Sequence, residues 1–205
     1  MLADLSVTEF LRETAASTPV PGGGSVAALS GALAAALAEM VAGLTVGRKG
    51  FEAAEPEMKS ILQKAKALRI KLTADIQRDS EAYNRVLAAY SLPKTGEKEK
   101  TRRSRTIQAE LKQAALVPLE VAQDALEILA LAETAITRGN PNAITDGAVA
   151  AMLARTAGLA ALYNVKINLS SIKDKDFVAE TTSVVNRFEA RIIDKEKQVL
   201  AGVNL

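Results

Sequence analysis

Asp75, Asp79 and Tyr83 stand at i, i+4 and i+8 in a stretch of helical periodicity, with Asn84 beside them. That spacing puts two carboxylates and a phenol on one helical face. Carboxylates so placed can take and return protons in general acid–base catalysis. The same residues also suit a solvated acidic face paired with Lys71 and Arg78. That pairing fits Asp75 better than Asp79, which follows the apolar stripe closely. The chain contains no His and no Cys. This excludes Ser-His-Asp and Cys-His catalysis, imidazole metal sites and zinc–thiolate sites. Any proton transfer therefore falls to carboxylates, Lys, Tyr or water.

A second constellation is Thr18-Pro19-Val20-Pro21-Gly22-Gly23-Gly24-Ser25, which opens an Ala-rich helix predicted over Val26–Val46. Prolines and glycines bar regular structure in the loop. Free N–H groups at the helix start suit an anion or a polarised carbonyl, and Ser25 can cap the helix or hydrogen-bond a ligand. A tight turn that merely allows close packing explains the same residues. No Gly-Lys-Ser/Thr follows, and no strand precedes, so neither a P-loop nor a dinucleotide fingerprint is present. Gly47-Arg48-Lys49-Gly50 ends the helix, where two cations complement the dipole or meet an anionic ligand tail. Asp146 falls in the first turn of a later helix, which dipole complementation alone explains. Asn140 or Asn142 can cap that helix, and Asn164 and Asn168 lie four apart near its end.

The elements that must position these groups are helical. Leu29, Leu33, Leu37, Met40 and Leu44 form an apolar stripe, with small-residue rows Ala27, Gly31, Ala35 and Ala28, Ala32, Ala36 on the other faces. The segment is long enough for a membrane span, but it is rich in Ala and contains Glu39. It is read instead as the central helix of a bundle, shared across a dimer interface. Ser6-Val7-Thr8-Glu9 is a capping box that starts a short helix with Val7, Phe10, Leu11 and Ala15 on one face. Further helices are predicted over Glu57–Ala89, over Thr106–Thr137 after a charged start at Glu97–Arg105, and over Ala143–Leu169. Pro118 should kink the second of these. A last helix, capped by Asp174 or Asp176, runs to about Leu200 with Phe177, Val184, Val185, Phe188 and Ile192 inward. No segment alternates with period two. The expected fold is an all-α bundle of about five to six helices around an Ala/Gly-rich central helix, one domain over residues 1–205. With 26 basic and 24 acidic residues the charge is too balanced to argue for nucleic acid or an anionic membrane. The N-terminus lacks a signal-peptide pattern, and a cytoplasmic location is expected.

Together these motifs resemble the cyclodeaminase/cyclohydrolase family. That family contains the cyclodeaminase half of formiminotransferase-cyclodeaminase and the stand-alone methenyltetrahydrofolate cyclohydrolases. Pro19 to Ser25, with the Ala-rich helix ending Leu44-Thr45-Val46-Gly47-Arg48-Lys49, is similar to its opening. Asp79-Ser80-Glu81-Ala82-Tyr83-Asn84 resembles its Asp-x-x-Ala-Phe/Tyr segment, and Ala89-Tyr90-Ser91-Leu92-Pro93-Lys94 follows in order. Val117-Pro118-Leu119 resembles its mid-helix proline. Gly139-Asn140-Pro141-Asn142, Thr145-Asp146-Gly147-Ala148-Val149-Ala150 and Ala160 to Asn168 resemble later segments. Tyr163 and Pro141 depart from the family pattern, which places less bulky or non-Pro residues there.

The resemblance covers nearly the whole chain and implies an all-α dimer with its folate site near the subunit interface. It implies hydrolysis of 5,10-methenyltetrahydrofolate to 10-formyltetrahydrofolate. The alternative is cyclisation of 5-formiminotetrahydrofolate with release of ammonia. The chain carries no attached formiminotransferase segment, which favours the first. The substrate is a tetrahydrofolate derivative, and no metal or permanently bound cofactor is expected. Asp79 is then the expected catalytic carboxylate, with Tyr83 orienting it and Asp146 second. Gly22, Gly23, Gly24 and Ser25 would bind the pterin or a carboxylate, Arg48 and Lys49 the glutamate tail, and Asn140, Asn164 and Asn168 the pterin edge. A non-catalytic helical scaffold dimer would instead leave the glycine loop filled by packing and Asp79 outside any pocket.

Overall fold

Small side chains decide how close the helices come. The computed structural model describes residues 1–204. It contains six α-helices: α1 (Val7–Thr14), α2 (Gly23–Gly43), α3 (Glu55–Tyr90), α4 (Glu97–Arg138), α5 (Ile144–Leu169) and α6 (Lys175–Ala201). Short 3-10 turns occupy Leu2–Asp4 and Pro141–Ala143, and no strand occurs among the described residues. The predicted all-α bundle is the observed fold. α2 packs against α3, α4 and α5, and α6 covers α4 and α5 from outside.

On α2 the buried side is the small one. Ala27, Ala28, Gly31, Ala34, Ala35, Ala38, Val41 and Ala42 are buried. Leu33, at 50% exposure, together with Met40 and Leu44, faces outward. The leucine stripe is therefore not the core face of this helix. Alanine and glycine let the neighbouring backbones approach, and longer chains would hold them apart. The same holds on α5, where Ala150, Ala151, Ala154, Ala157, Gly158 and Ala161 are buried. α2 and the segment Pro141–Leu169 are long and apolar enough to cross a membrane, yet half of each such stretch is buried inside the bundle.

Element ends follow local chemistry. Ser6 and Glu9 form the predicted capping box of α1, but Phe10 is its one buried residue, with Val7 and Leu11 exposed. α2 begins at Gly23 with Gly22 as N-cap, so two glycines of the loop lie inside the helix and Ser25 is not its cap. It also ends three residues early, at Gly43, after which residues 44–47 turn away. α4 is one continuous helix from Glu97, with Pro118 buried within it. Asp174, not Asp176, caps α6 by accepting from the Phe177 N–H. Val185 and Ile192 of α6 are buried, while Phe177, Val184 and Phe188 are partly so.

Candidate active site

At one end of the bundle a cavity of about 210 Å³ is lined by Pro19, Gly22–Gly24, Asp79, Tyr83, Ala114, Asn164 and Asn168, among others. Four elements meet there: the start of α2, the middle of α3, α4 beside Pro118, and the end of α5. A more apolar cavity of about 340 Å³ lies between α1 and α2, but its one charged lining residue, Arg69, is paired with Glu39 at 2.7 Å. The chemistry therefore belongs to the smaller one.

Asp79 is fixed from α2. Ser25 is fully buried, and its Oγ lies 3.0 Å from Asp79 Oδ2, from Ile76 O and from Ser80 Oγ. A serine hydroxyl has a single proton and two lone pairs. When Asp79 is ionised, Ser25 can donate to it and accept from Ser80. When Asp79 is protonated, its own O–H can donate to Ser25, whose proton then serves the Ile76 carbonyl. The cluster satisfies both protonation states without moving a heavy atom. Close approach requires Gly24, because a Cβ there would stand 2.5 Å from Asp79 Cγ. The sequence reading gave the orienting role to Tyr83. In the structure Ser25 holds the carboxylate, and Tyr83 lines the cavity with no hydrogen bond to it.

Burial raises the Asp79 carboxyl above the ordinary range, and the buried charge of Asp75 one turn back adds to this. The Ser25 hydroxyl and backbone N–H oppose the shift without cancelling it. Gly23 and Gly24, in the first turn of α2, have no intrahelical acceptor for their N–H groups, which makes this end electropositive.

Asn164 and Asn168 present acceptors. Asn164 Nδ2 donates to Ala160 O at 2.9 Å; Asn168 Nδ2 donates to Asn164 O at 3.0 Å and Ala114 O at 3.1 Å. With the amide nitrogens so occupied, both Oδ1 atoms stay available to a ligand. The Ala114 carbonyl is open because Pro118, four residues on, has no N–H to offer it. The mid-helix proline thus leaves an acceptor that Asn168 fills. This function of Pro118 was missed in the sequence, where the i−4 relation to Ala114 was the available signal.

Asp75 was also misjudged. It pairs with Lys71 and Arg78 as expected, but it is 0% exposed rather than solvated. Lys71 Nζ reaches Asp75 at 3.1 Å and Asp124 at 2.5 Å, while Arg78 bridges Asp75 and Glu120. This network lies directly beneath Asp79 on α3.

The remaining predicted residues are elsewhere. Asn140 is buried at the opposite end of the bundle, with its N–H on Thr45 Oγ1 at 2.9 Å and its Oδ1 accepting from Asn142. Arg48 and Lys49 are exposed beyond the end of α2. Asp146 sits half-buried in the first turn of α5, about 27 Å along the helix from Asn164. Within one chain these four do not reach the Asp79 cavity.

Residues 6–187 match the family model described as formiminotransferase-cyclodeaminase. The chain is 40% identical to a methenyltetrahydrofolate cyclohydrolase of Methylorubrum extorquens, over 88% of this chain and 86% of that one. It is 36% identical to the formimidoyltransferase-cyclodeaminase of Rattus norvegicus, where the match covers 88% of this chain but 33% of the relative. The chain thus spans about a third of that longer protein. The crystal structure of formiminotetrahydrofolate cyclodeaminase from Thermotoga maritima superposes with a TM-score of 0.89 at 33% identity, covering 99% of this chain and 98% of that one.

Proposed function

Because the chain belongs to the formiminotransferase-cyclodeaminase family, we propose that it acts on the one-carbon bridge of tetrahydrofolate as a methenyltetrahydrofolate cyclohydrolase. The observation that carries this reading is the buried Asp79, held by Ser25 in a cavity that also offers backbone N–H donors and amide acceptors. A scaffold would have no use for a desolvated carboxylate facing a cavity.

In the proposed reaction the bridging carbon of 5,10-methenyltetrahydrofolate is already cationic, so the attack calls on no metal or bound cofactor. Asp79 takes a proton from water as its oxygen bonds to that carbon, giving a neutral tetrahedral adduct. Asp79 then returns the proton to N5, the C–N5 bond breaks, and the hydroxyl loses its proton to leave a formyl group on N10. One proton is released overall. The raised proton affinity of Asp79 suits a group that must accept and then donate near neutral pH. The Oδ1 atoms of Asn164 and Asn168 would accept from the pterin amino and ring N–H groups. The first-turn N–H groups of α2 would face the developing oxygen charge.

The test is the loss of methenyl absorbance above the spontaneous rate, with 5-formiminotetrahydrofolate run in parallel. Hydrolysis without ammonia release supports the cyclohydrolase. Ammonia release moves the protein to the cyclodeaminase reading, which the high coverage of the Thermotoga maritima structure favours. That coverage also means that the matched length does not separate the two reactions, since a structure of the same extent carries the cyclodeaminase name. Absence of both activities overturns the proposal.

A homodimer belongs to the same proposal. Leu33 and Met40 on α2, Leu44 just past its end, and Val149, Met152 and Tyr163 on α5 leave apolar side chains exposed along two adjacent helices. Exposed patches of this kind mark interaction surfaces, and a second copy is the occupant we assign. Leu33→Glu should convert the dimer to monomer in sedimentation; a wild-type monomer at micromolar concentration would sink the assignment.

A further inference from the structure

The proposed hydrolysis leaves one proton behind in each turnover. Asp79 is the one carboxylate on the wall of the cavity among the described residues, so the proton shed by the formyl hydroxyl falls to it. Product then lies against that carboxylate. A proton handed back toward the cavity meets the product again, and the next cycle needs Asp79 ionised.

Behind Asp79 lies a second way out. Successive residues of a helix point about 100° apart. On α3, Asp79 and Tyr83 therefore face the first cavity, while Gln77, Ser80 and Asn84, at i, i+3 and i+7, line another of about 440 Å³. The loop before α2 stands between them: Val20 lines both cavities and Pro21 only the second. Leu2, Leu5 and Glu13 close the far side. A space of that size with polar walls admits water, since one molecule takes up about 30 Å³.

Two hydroxyls span the gap. Asp79 Oδ2 lies 3.0 Å from Ser25 Oγ, and Ser25 Oγ lies 3.0 Å from Ser80 Oγ. Ser25 is 0% exposed and Ser80 3%, so bulk water does not reach the first link, and the second meets the rear cavity only at its edge. The charged groups near Asp79 offer no rival path. Asp75 is bonded to Lys71 and Arg78, and no hydrogen bond joins any of the three to Asp79. At the rear cavity the Met1 amino group is paired with Asp4 at 2.7 Å, while half-buried Glu13 puts a carboxylate on the wall that draws a proton onward.

We infer that Ser25 and Ser80 form a two-hydroxyl relay that carries the reaction's proton from Asp79 to water in the rear cavity while product still occupies the front one. This rests on the proposed hydrolysis. From Oδ2 the Asp79 proton passes to Ser25 Oγ, the Ser25 proton passes to Ser80 Oγ, and the Ser80 proton passes to water. Each O–H bond broken is matched by one formed; both serines end neutral, Asp79 ends ionised and the water carries the charge. A hydroxyl turns freely about its C–O bond, so two rotations reset the chain. The Ile76 carbonyl, 3.0 Å from Ser25 Oγ, accepts that hydroxyl's proton when the relay is idle.

The experiment is a single turnover of 5,10-methenyltetrahydrofolate with enzyme in excess, in unbuffered solution with a pH-indicator dye. Loss of methenyl absorbance reports the chemistry, and the dye reports escape of the proton. In the wild type the two signals should coincide. In Ser80→Ala the dye should respond about tenfold more slowly than the absorbance falls, less than the roughly 10²-fold or more of a full general acid–base group. The comparison is made within each variant, so a general loss of activity cancels. Alanine favours helix, and circular dichroism verifies the fold. The pair Ser80→Val and Ser80→Thr, alike in shape, repeats the contrast with and without a hydroxyl; only Ser80→Val should lag. A wild-type dye signal that trails the absorbance, coincident signals in folded Ser80→Ala, or the same result for valine and threonine would overturn the relay while leaving the reaction intact. Failure of the wild type to hydrolyse the substrate would reject the reaction itself, and the relay with it.

Discussion

The two ends of the bundle use similar residues for opposite purposes. At the end holding Thr45 and Asn140, the buried polar groups are consumed by the fold. Thr45 Oγ1 donates to Val41 O and accepts from the Asn140 N–H, while Asn140 Oδ1 caps the following turn. At the other end Asn164 and Asn168 also bond backbone carbonyls, but each keeps an oxygen free beside a carboxylate that burial has made reluctant to ionise. The difference teaches that an asparagine in a family-like motif is informative only with its partners known. Reactivity collects where hydrogen-bonding capacity is left over.

Substitutions can break this comparison. Asp79→Asn should have the largest effect, lowering kcat by about 10²–10⁴ as expected for loss of a general acid–base group. It should also stabilise the protein at neutral pH. The folded carboxyl binds its proton more tightly than the unfolded one, so its stabilising contribution is present at low pH and is lost as pH rises through the folded value. The thermal midpoint of Asp79→Asn should therefore exceed wild type near pH 7, and the gap should close below about pH 3.9. For the wild type, kcat should fall on the acid side at a pH above the ordinary aspartate range.

Gly24→Ala comes next, since its methyl would displace the Asp79 carboxylate; a loss of about 10²-fold in kcat is expected from such a misplacement. Asp75→Asn should cost about 3 kcal/mol in denaturant unfolding, because it leaves Lys71 and Arg78 short of a buried partner. Pro118→Ala restores an N–H that competes with Asn168 for Ala114 O. It should raise KM several-fold while stabilising α4, which separates positioning from structure. Asp146→Asn should be mildest, changing kcat by less than about twofold, as surface changes away from a site usually do. A larger loss there would show that a second copy brings the far end of its bundle to this pocket.

Much of this was legible in advance. The helices, the capping box at Ser6 and Glu9, and the cap at Asp174 follow from local signals that tertiary structure did not override. Asp79, Gly24, Asn164 and Asn168 came from motif and chemistry together, and one cavity unites them. The sense of α2 was not legible. A leucine row and an alanine row both keep helical spacing, and periodicity does not say which faces in. Nor could composition show that Ser25 is a partner of Asp79, since the contact joins residues 54 apart. Asp75 looked like a surface charge because burial of an ion network depends on Asp124 and Glu120 from another helix.

The alanine and glycine seams also act as a spacer gauge. A Cβ at Gly158 would stand 2.6 Å from Ile192 Cδ1 and 3.1 Å from Ala125 Cβ, and one at Gly31 would press on Leu72. Ile192 and Leu72 can turn their side-chain ends aside, but the Ala125 Cβ has no rotamer to change, so a methyl at Gly158 presses α5 away from α4. The ends of α2 and α5 are the walls of the pocket. Changes at mid-helix, far from any reacting atom, are thus transmitted as a change in the width of its mouth, and substrate fit should record them before stability does.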